Sequence, residues 1–382
     1  MKYLVVLIVC VIALLPLYGQ DVSESEFDLR ARQGIEYIYN LEFEKADTIF
    51  EELAHIRPTH PAGHFFLAMV DWWRIMIEVE NTEYDDRFYE KLDHVVDLCN
   101  ELLDANETDV TALFFKGGAL GFEGRLRFHR DDWLAAANAG RKALPLVQDA
   151  SAADPENADI FLGTGIYNYY AEAIPEQYPV AKPLLLFIPT GDKKRGISQL
   201  ETAAARGKYA NVEARYFLMQ LFYLYERDYD RALAIAKELH QRFPNNMVFH
   251  KYVGRCYAAR GLYPEARNVF LEVADLVRKK KPGYNQNIER EAEYYLGLSD
   301  LHARSYDSAL THFYRCDEMS RTLDSDDPSG FMIMANLSIG KIYDVQSKRD
   351  LAVEQYRKVL GMKEYRDSYT QSEKLLKAPF TQ

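Results

Sequence analysis

The chain has 382 residues, with 58 acidic and 46 basic side chains that give a formal net charge of −12. This acidic balance disfavours general binding to the phosphate backbone of nucleic acids. The 27 tyrosines and 20 phenylalanines give the chain unusual aromatic weight for contacts with other molecules.

The chain begins with a segment typical of a secretory signal peptide. Lys2 precedes an apolar stretch from Tyr3 to Tyr18, and Gly19 offers a small residue for cleavage. The stretch is shorter than the roughly 18 to 20 apolar residues that a bilayer span normally needs. We therefore expect residues 1–20 to be removed on export to the periplasm or extracellular space. An uncleaved anchor that holds the protein in the envelope is the alternative.

A spaced phrase of small and aromatic residues recurs downstream. It consists of a glycine, an aromatic residue three positions on, an alanine twelve on and an aromatic residue sixteen on. The three clearest copies are Gly34, Tyr37, Ala46 and Phe50; Gly254, Tyr257, Ala266 and Phe270; and Gly340, Tyr343, Ala352 and Tyr356. The phrase resembles the tetratricopeptide repeat, a helix-turn-helix of about 34 residues in which small residues let two antiparallel helices approach.

The resemblance implies an all-α fold, a TPR-like α-solenoid of antiparallel helix pairs. In chain order we predict about eight pairs and a C-terminal capping helix, all within one solenoid over residues 21–382. The parts are one regular repeat, two pairs of long helices, one pair that carries a proline-rich insertion at 174–191, a run of regular repeats, and a cap with a tail. Their bounds are 27–60, 61–155, 156–212, 213–366 and 367–382.

The insertion combines four prolines with a run of five large apolar residues. The prolines preclude a continuous helix, and burial of the apolar run would contribute several kcal/mol at roughly 25 cal/mol per Å². The run therefore either seals the adjacent helices or contacts a partner, and membrane contact is a less favoured use of the same loop. The residues of this possible partner-binding loop are Leu184, Leu185, Leu186, Phe187 and Ile188.

The sequence contains no recognisable catalytic motif. The string from His129 to Asp132 is similar to a kinase catalytic loop but lacks the required asparagine, and we interpret it as a helix boundary. His60 and His64 are four residues apart but lack a third ligand for zinc. We therefore predict no enzyme activity, no cofactor and no metal site, and we expect the cysteines of the mature chain to be core thiols.

In tetratricopeptide arrays the first helix of each pair lines a concave surface, and this resemblance implies a set of groove residues. Lys251 and Arg255 are one helical turn apart, so their charges can converge on one anionic group of a peptide, or pair with Glu291 instead. The similarity to chaperone-binding members with a carboxylate clamp is partial, because no asparagine stands where Arg255 does. The predicted groove residues are Phe217, Leu221, Tyr225, Lys251, Arg255, Tyr294, Leu298, His302 and Lys341.

These features favour an exported scaffold for protein–protein interaction that binds a peptide or protein segment in its concave groove. The alternative is a carrier of a small ligand or lipid, with an apolar cavity enclosed by the long middle repeats. The carrier requires an empty apolar cavity in the middle of the solenoid, and the scaffold does not.

Overall fold

The structure, a computed structural model, describes residues 23–177, 189–324 and 326–381. Over these ranges the chain is all-α, as predicted, and its helices pack in consecutive antiparallel pairs. The α-helices are α1 (Glu24–Tyr39), α2 (Phe43–Ile56), α3 (Pro61–Ile77), α4 (Asp85–Ala105), α5 (Val110–His129), α6 (Trp133–Ala153), α7 (Ile160–Gln177), α8 (Lys193–Arg206), α9 (Asn211–Leu221), α10 (Tyr229–Arg242), α11 (Met247–Ala259), α12 (Tyr263–Arg278), α13 (Gln286–His302), α14 (Tyr306–Leu323), α15 (Gly330–Val345), α16 (Arg349–Leu360) and α17 (Ser368–Lys377).

The pairs α1–α2 through α15–α16 stack as eight successive repeats, and α17 packs against the last pair. The odd-numbered helices also contact one another across repeats, so they form the inner layer, and the even-numbered helices form the outer layer. In the second and third pairs, α4, α5 and α6 have 21, 20 and 21 residues, whereas α3 has 17.

Close contact between a glycine and an aromatic ring recurs in the first, sixth, seventh and eighth repeats. In the sixth repeat, a Cβ atom on Gly254 would lie 2.5 Å from Cε2 of Phe270, which is fully buried. Only a residue without a side chain allows the two helices to approach this closely. The pairs Gly34 with Phe50, Gly297 with Phe313, and Gly340 with Tyr356 repeat the same contact.

Aspartate side chains cap the starts of two helices, α6 and α8. The side chain of Asp192 accepts a hydrogen bond from the backbone N–H of Arg195 and so caps α8. The kinase-like string falls at the turn between α5 and α6, where the side chain of Asp132 caps the second helix. Cys99, Cys256 and Cys316 are buried free thiols, as predicted.

The first two repeats contact the fifth repeat and the start of the sixth. The ring of Phe66 on α3 lies 5.5 Å from that of Tyr209, just before α9, and Trp73 lies 5.5 Å from Tyr216 on α9. Tyr39, at the end of α1, lies 5.7 Å from Phe243, in the turn before α11. The inner faces of distant repeats therefore meet through aromatic rings.

Polar contacts join the same distant elements. The side-chain amide of Asn246 donates to the backbone carbonyl of Tyr39 over 2.8 Å, and Arg242 on α10 forms an ion pair with Glu36 on α1. The hydroxyl of Tyr39 also donates to Glu213 over 2.5 Å. We call this set of contacts between the first two repeats and the fifth and sixth the closure.

Candidate functional site

Beyond the closure lie the inner helices α11, α13, α15 and α17, on which Tyr294, Leu298 and Lys341 are half-buried. Each of these helices contacts the next, so their inner faces form one continuous surface. This C-terminal concave surface is where the sequence placed most of its groove residues.

A charged cluster lies at the start of this surface. Arg255 on α11 donates from both Nε and Nη2 to the carboxylate of Glu291 on α13, and Nζ of Lys251 lies 3.7 Å from the same carboxylate. The pairing with Glu291 that the sequence left open is therefore present. Two cations share one carboxylate, so the cluster keeps a net positive charge.

Burial shifts the proton affinity of both members of this cluster. Burial lowers the pKa of Lys251 to about 8, against the opposing attraction of Glu291. For Glu291, burial acts to raise the pKa, but Arg255 and Lys251 outweigh it and hold the pKa below its usual value. Glu291 is therefore ionised near neutral pH, whereas Lys251 is close to its titration point.

A row of tyrosines crosses the inner face from α7 to α13, and we call it the tyrosine belt. Tyr170 lies 5.4 Å from Tyr225, Tyr223 lies 5.4 Å from Tyr252, and Tyr294 lies 5.2 Å from Tyr295. Such spacings are those of packed aromatic pairs, which combine a large apolar area with a polar hydroxyl. The belt consists of Tyr169, Tyr170, Tyr223, Tyr225, Tyr252, Tyr294 and Tyr295. Tyr169 and Tyr252 are buried, and the other five are half-buried.

A π-helical segment after α9 places two tyrosines in the belt. The segment spans Phe222–Glu226 and ends at Arg227, whose φ is 54°. Within it Tyr225 faces Tyr170, while Tyr223 faces Tyr252 on the next repeat. Single π-helical turns often occur at functional sites because they change the direction of a few side chains within a helix.

The structure places two predicted groove residues in the closed half. Phe217 and Leu221 are 8% and 0% exposed, so they contribute to packing rather than to an open groove. The reason is the closure, which brings α3 and α5 against α9. Arg125 on α5 lies 4.5 Å from the ring centroid of Phe217 and donates to Glu213 over 2.8 Å.

The remaining predicted residues differ in how close they are to the cluster. Tyr225, Tyr294, Leu298 and Lys341 are half-buried on the inner side. Lys341 donates to Gln371 on α17 over 2.6 Å, so the capping helix engages it. His302 is exposed at the end of α13, and its ring stacks at 3.7 Å on that of Tyr263, apart from the cluster.

Sequence reasoning missed several residues of this surface. Tyr252 and Tyr295 each adjoin a predicted groove residue in the chain, and a count of inner-face tyrosines would have found them. Arg125, which lies in the closure, stands in a long repeat that lacks the regular spacing, and Arg366 stands in the turn before α17. Neither position has a repeat register from which its direction could be predicted.

The apolar run from Leu184 to Ile188 lies outside the described residues, as does the signal segment 1–20. Next to the insertion, the hydroxyl of Tyr167 donates to the carbonyl of Pro189. Among helices that the structure describes, none is long and apolar enough to cross a membrane.

Comparison with known proteins agrees with this architecture. The tetratricopeptide repeat family model matches residues 223–282, from the π-helical segment to the turn before α13. A search of curated proteins found no match. The match and the paired helices together define the chain as a TPR-like α-solenoid.

Solved structures of similar fold include three helical-repeat proteins. The crystal structure of the APC/C hetero-tetramer Cut9-Hcn1 aligns with a TM-score of 0.52 at 15% identity, over 95% of this chain and 57% of that chain. The human IFIT1 dimer with m7Gppp-AAAA gives a TM-score of 0.45 at 13% identity, over 94% and 88%. Yeast Tom70 gives 0.38 at 11% identity, over 93% and 89%. At such identities the likeness concerns the fold alone, and this chain spans little more than half of the Cut9-Hcn1 chain.

Proposed function

We propose that this protein is an exported scaffold that binds a segment of another protein on its C-terminal concave surface. The tyrosine belt is the observation that carries the proposal. Tyrosine supplies a large contact area at low entropic cost, because it has few rotatable bonds, and its hydroxyl can bond to a peptide backbone. The proposal includes no catalytic activity.

The location of the belt supports binding of an extended segment. Its half-buried tyrosines come from α7, the π-helical segment and α13, so a segment that follows the belt crosses several repeats. The Lys251–Arg255–Glu291 cluster adds a net positive charge beside Tyr252 and Tyr295. In a chain of net charge −12, this contrast favours a segment with acidic character.

The alternative of a lipid carrier requires an apolar cavity in the middle repeats. In the described residues the inner faces of distant repeats meet directly there, with the ring of Phe66 on α3 at 5.5 Å from Tyr209 and that of Trp73 on α3 at 5.5 Å from Tyr216 on α9. Side chains therefore occupy the space that a lipid tail would need. This packing favours the scaffold over the carrier.

Site-specific photo-crosslinking tests the scaffold proposal. A photoreactive phenylalanine analogue would replace Tyr294 on the inner helix α13 or, as a matched control, Tyr314 on the outer helix α14, which is 41% exposed. We expect crosslinks to a defined protein segment from position 294 and none from position 314. The same segment, made as a peptide, should bind the purified protein. Equal crosslinking from both positions, or none from position 294, would contradict the proposal.

Export is a separate part of the proposal and rests on the sequence of residues 1–20. Amino-terminal sequencing of the protein from its native cells tests it. A mature chain that begins near Asp21 supports export with cleavage. A chain that retains Met1 in the membrane fraction supports the anchored alternative, and one that retains Met1 in the cytosol contradicts export.

A further inference from the structure

The turn between α5 and α6 carries a cluster of exposed apolar side chains. Phe128 is 47% exposed, Trp133 52% and Leu134 72%, and the rings of Phe128 and Trp133 lie 4.7 Å apart. The other exposed large hydrophobic residues that the structure describes each stand on a different element, as is normal for a folded surface. We call Phe128, Trp133 and Leu134 the apolar tip.

Packing between α5 and α6 does not use the apolar tip. A Cβ atom on Gly124 would lie 3.2 Å from Cβ of Ala139, and one on Gly117 would lie 2.9 Å from Cγ2 of Val147. Small residues thus bring the two helices together, and the larger side chains at the start of α6 stay outside their interface. The exposed apolar tip is therefore a candidate contact surface beyond this helix pair.

Hydrogen bonds hold the turn in one geometry. The side chain of Asp132 accepts a hydrogen bond from the backbone N–H of Ala135 over 3.1 Å and caps α6. Nη2 of Arg130 donates to Asp85 over 2.8 Å and to the carbonyl of Asn81 over 3.2 Å. Since Asp85 begins α4, the turn is anchored to the preceding repeat, and the apolar tip is presented in a fixed arrangement.

The turn itself has no excess positive charge. Arg127 lies 3.6 Å from Glu123, and Nε of Arg130 lies 2.5 Å from Asp85. The two aspartates that follow Arg130 are exposed. Attraction of a partner to the tip therefore depends on apolar contact rather than on charge.

Two cations without ion pairs follow the tip along α6. Arg141 and Lys142 are exposed, and they are the only charged residues from 133 to 148. Arg141 donates to Asn138 over 3.0 Å, but neither cation forms an ion pair with a residue that the structure describes. Arg141 stands seven residues beyond Leu134, so it lies on the same face of the helix, about 10 Å further along its axis.

This order of apolar and cationic side chains matches the layers of a phospholipid surface. Tryptophan and other apolar side chains settle at the boundary between headgroups and acyl chains, about 5–10 Å below the surface. Lysine and arginine side chains reach the phosphates above that boundary and are attracted by anionic lipid. The separation of about 10 Å between Leu134 and Arg141 along α6 spans the two layers.

The area of the tip suits a bilayer better than a protein partner. Aromatic side chains bury 150–250 Å² each, so two half-exposed rings and one leucine offer about 300 Å². A stable protein interface needs about 800 Å² from each partner. Binding to a bilayer has no such threshold, because it increases with apolar area and is strengthened by nearby cations.

We propose that the apolar tip, together with Arg141 and Lys142, docks this protein on the surface of a phospholipid bilayer that contains anionic lipid. The three apolar side chains enter the boundary between headgroups and acyl chains, and the two cations contact lipid phosphates. This inference is independent of peptide binding at the C-terminal concave surface.

Binding to vesicles tests the docking surface, and Trp133 serves as its own reporter. The other two tryptophans, Trp72 and Trp73, are 0% and 1% exposed, so a change of emission on binding comes from Trp133. The chain from residue 21, which keeps every described residue, is mixed with phosphatidylcholine vesicles with or without phosphatidylglycerol. Flotation measures the bound fraction, and Trp133→Phe identifies the emission of Trp133.

One double variant removes the apolar tip and has a matched control. Trp133→Ser combined with Leu134→Asn replaces two exposed apolar side chains. Leu29→Asn makes the same kind of change on α1, where Leu29 is 60% exposed. Thermal unfolding checks that both variants are folded.

A second double variant removes the two cations. Arg141→Gln combined with Lys142→Gln is compared with Lys374→Gln combined with Lys377→Gln, which replaces two exposed lysines of α17. Thermal unfolding again checks the fold. Because both variants lose two positive charges, a difference between them reports position rather than net charge.

We expect the wild type and both controls to bind phosphatidylcholine vesicles, and to bind about tenfold more tightly when phosphatidylglycerol is present. Trp133 emission should shift to shorter wavelength on binding. The tip variant should bind both kinds of vesicle about tenfold more weakly. The cation variant should bind phosphatidylcholine vesicles as the wild type does but lose the gain from phosphatidylglycerol.

Three results would overturn the docking surface and leave the scaffold proposal standing. The first is a wild type that binds neither kind of vesicle. The second is equal loss of binding in the tip variant and in Leu29→Asn. The third is a Trp133 that already emits as a buried indole without vesicles, which would show that protein covers the tip. Sedimentation velocity would then show whether a second copy or the same chain covers it.

Discussion

The protonation of one recessed lysine decides much of the charge on the concave surface. Lys251 is 19% exposed and lies 3.7 Å from Glu291, which Arg255 already neutralises. The charged form of Lys251 therefore destabilises the folded chain, because the cost of burying the charge exceeds the remaining attraction to Glu291.

The pH dependence of stability should show this cost. The pKa of Lys251 falls from 10.5 to about 8 on folding, so between these values the unfolded state binds more protons. Its contribution to the unfolding free energy therefore rises with pH across that window. We expect Lys251→Met to be more stable than the wild type at pH 7 and to lose this advantage by about pH 10. Urea unfolding of both chains at the two pH values measures the difference, and a difference independent of pH would contradict the interpretation.

Packing of the two helices in the sixth repeat depends on a single glycine, Gly254. Gly254→Leu should lower the unfolding free energy by about 1–3 kcal/mol or more, because a side chain there collides with Phe270. Gly140→Leu on α6 is the control, since a Cβ atom at Gly140 meets nothing within 4 Å. Thermal unfolding compares the two variants. If Gly254→Leu melted at the wild-type temperature, the register of the sixth repeat would be wrong.

In the second repeat, which lacks the regular spacing of small and aromatic residues, a buried aspartate joins the two helices. Asp71 on α3 is fully buried and accepts hydrogen bonds from Arg74 and Arg87 at 2.9 Å, and Lys91 on α4 lies 2.6 Å away. Burial acts to raise the pKa of Asp71, but Arg87 and Lys91 outweigh it and hold the pKa below its usual value. Ion pairs as well as apolar packing therefore hold α3 and α4 together.

Removal of this acid should be costly. Asp71→Ala leaves three cations without their common partner, and we expect a loss of about 3–5 kcal/mol in unfolding free energy. Asp97→Ala, at an exposed position of α4, should change it by less than about 0.5 kcal/mol. Chemical denaturation of both variants checks the contrast. Equal effects would show that Asp71 does not join the two helices.

The whole molecule differs from an open solenoid through its closure. In an open array each repeat contacts only its neighbours, so stability is a sum of local terms. Here Glu213 on α9 accepts hydrogen bonds from Arg125 on α5 and Tyr39 on α1, at 2.8 and 2.5 Å. A destabilising substitution in the fifth repeat is therefore expected to destabilise the first repeat as well.

Hydrogen exchange can detect this coupling. We expect Glu213→Ala to raise amide exchange in α1 as well as in α9, and to lower the unfolding free energy by about 3–5 kcal/mol because Arg125 loses its carboxylate. Glu238→Ala, which removes a partly exposed partner of Arg215 in the same repeat, should cost less than about 1 kcal/mol and leave α1 unchanged. Faster exchange confined to the fifth repeat would contradict the closure.

The sequence by itself determined the class of fold, the number of helix pairs and the place of the cap. These follow from contacts within one repeat, such as Gly254 with Phe270, whose spacing is visible along the chain. It also identified Lys251, Arg255 and Glu291, since regular repeats carry their inner-face register with them. The division into regular, long and interrupted parts remains a prediction.

Only the tertiary structure decided which of the predicted groove residues are buried in the closure. Closure depends on small rotations that accumulate over five repeats and on the long helices α4 to α6, and no local pattern specifies that sum. For this reason Phe217 and Leu221 became core residues, although their repeat positions point inward.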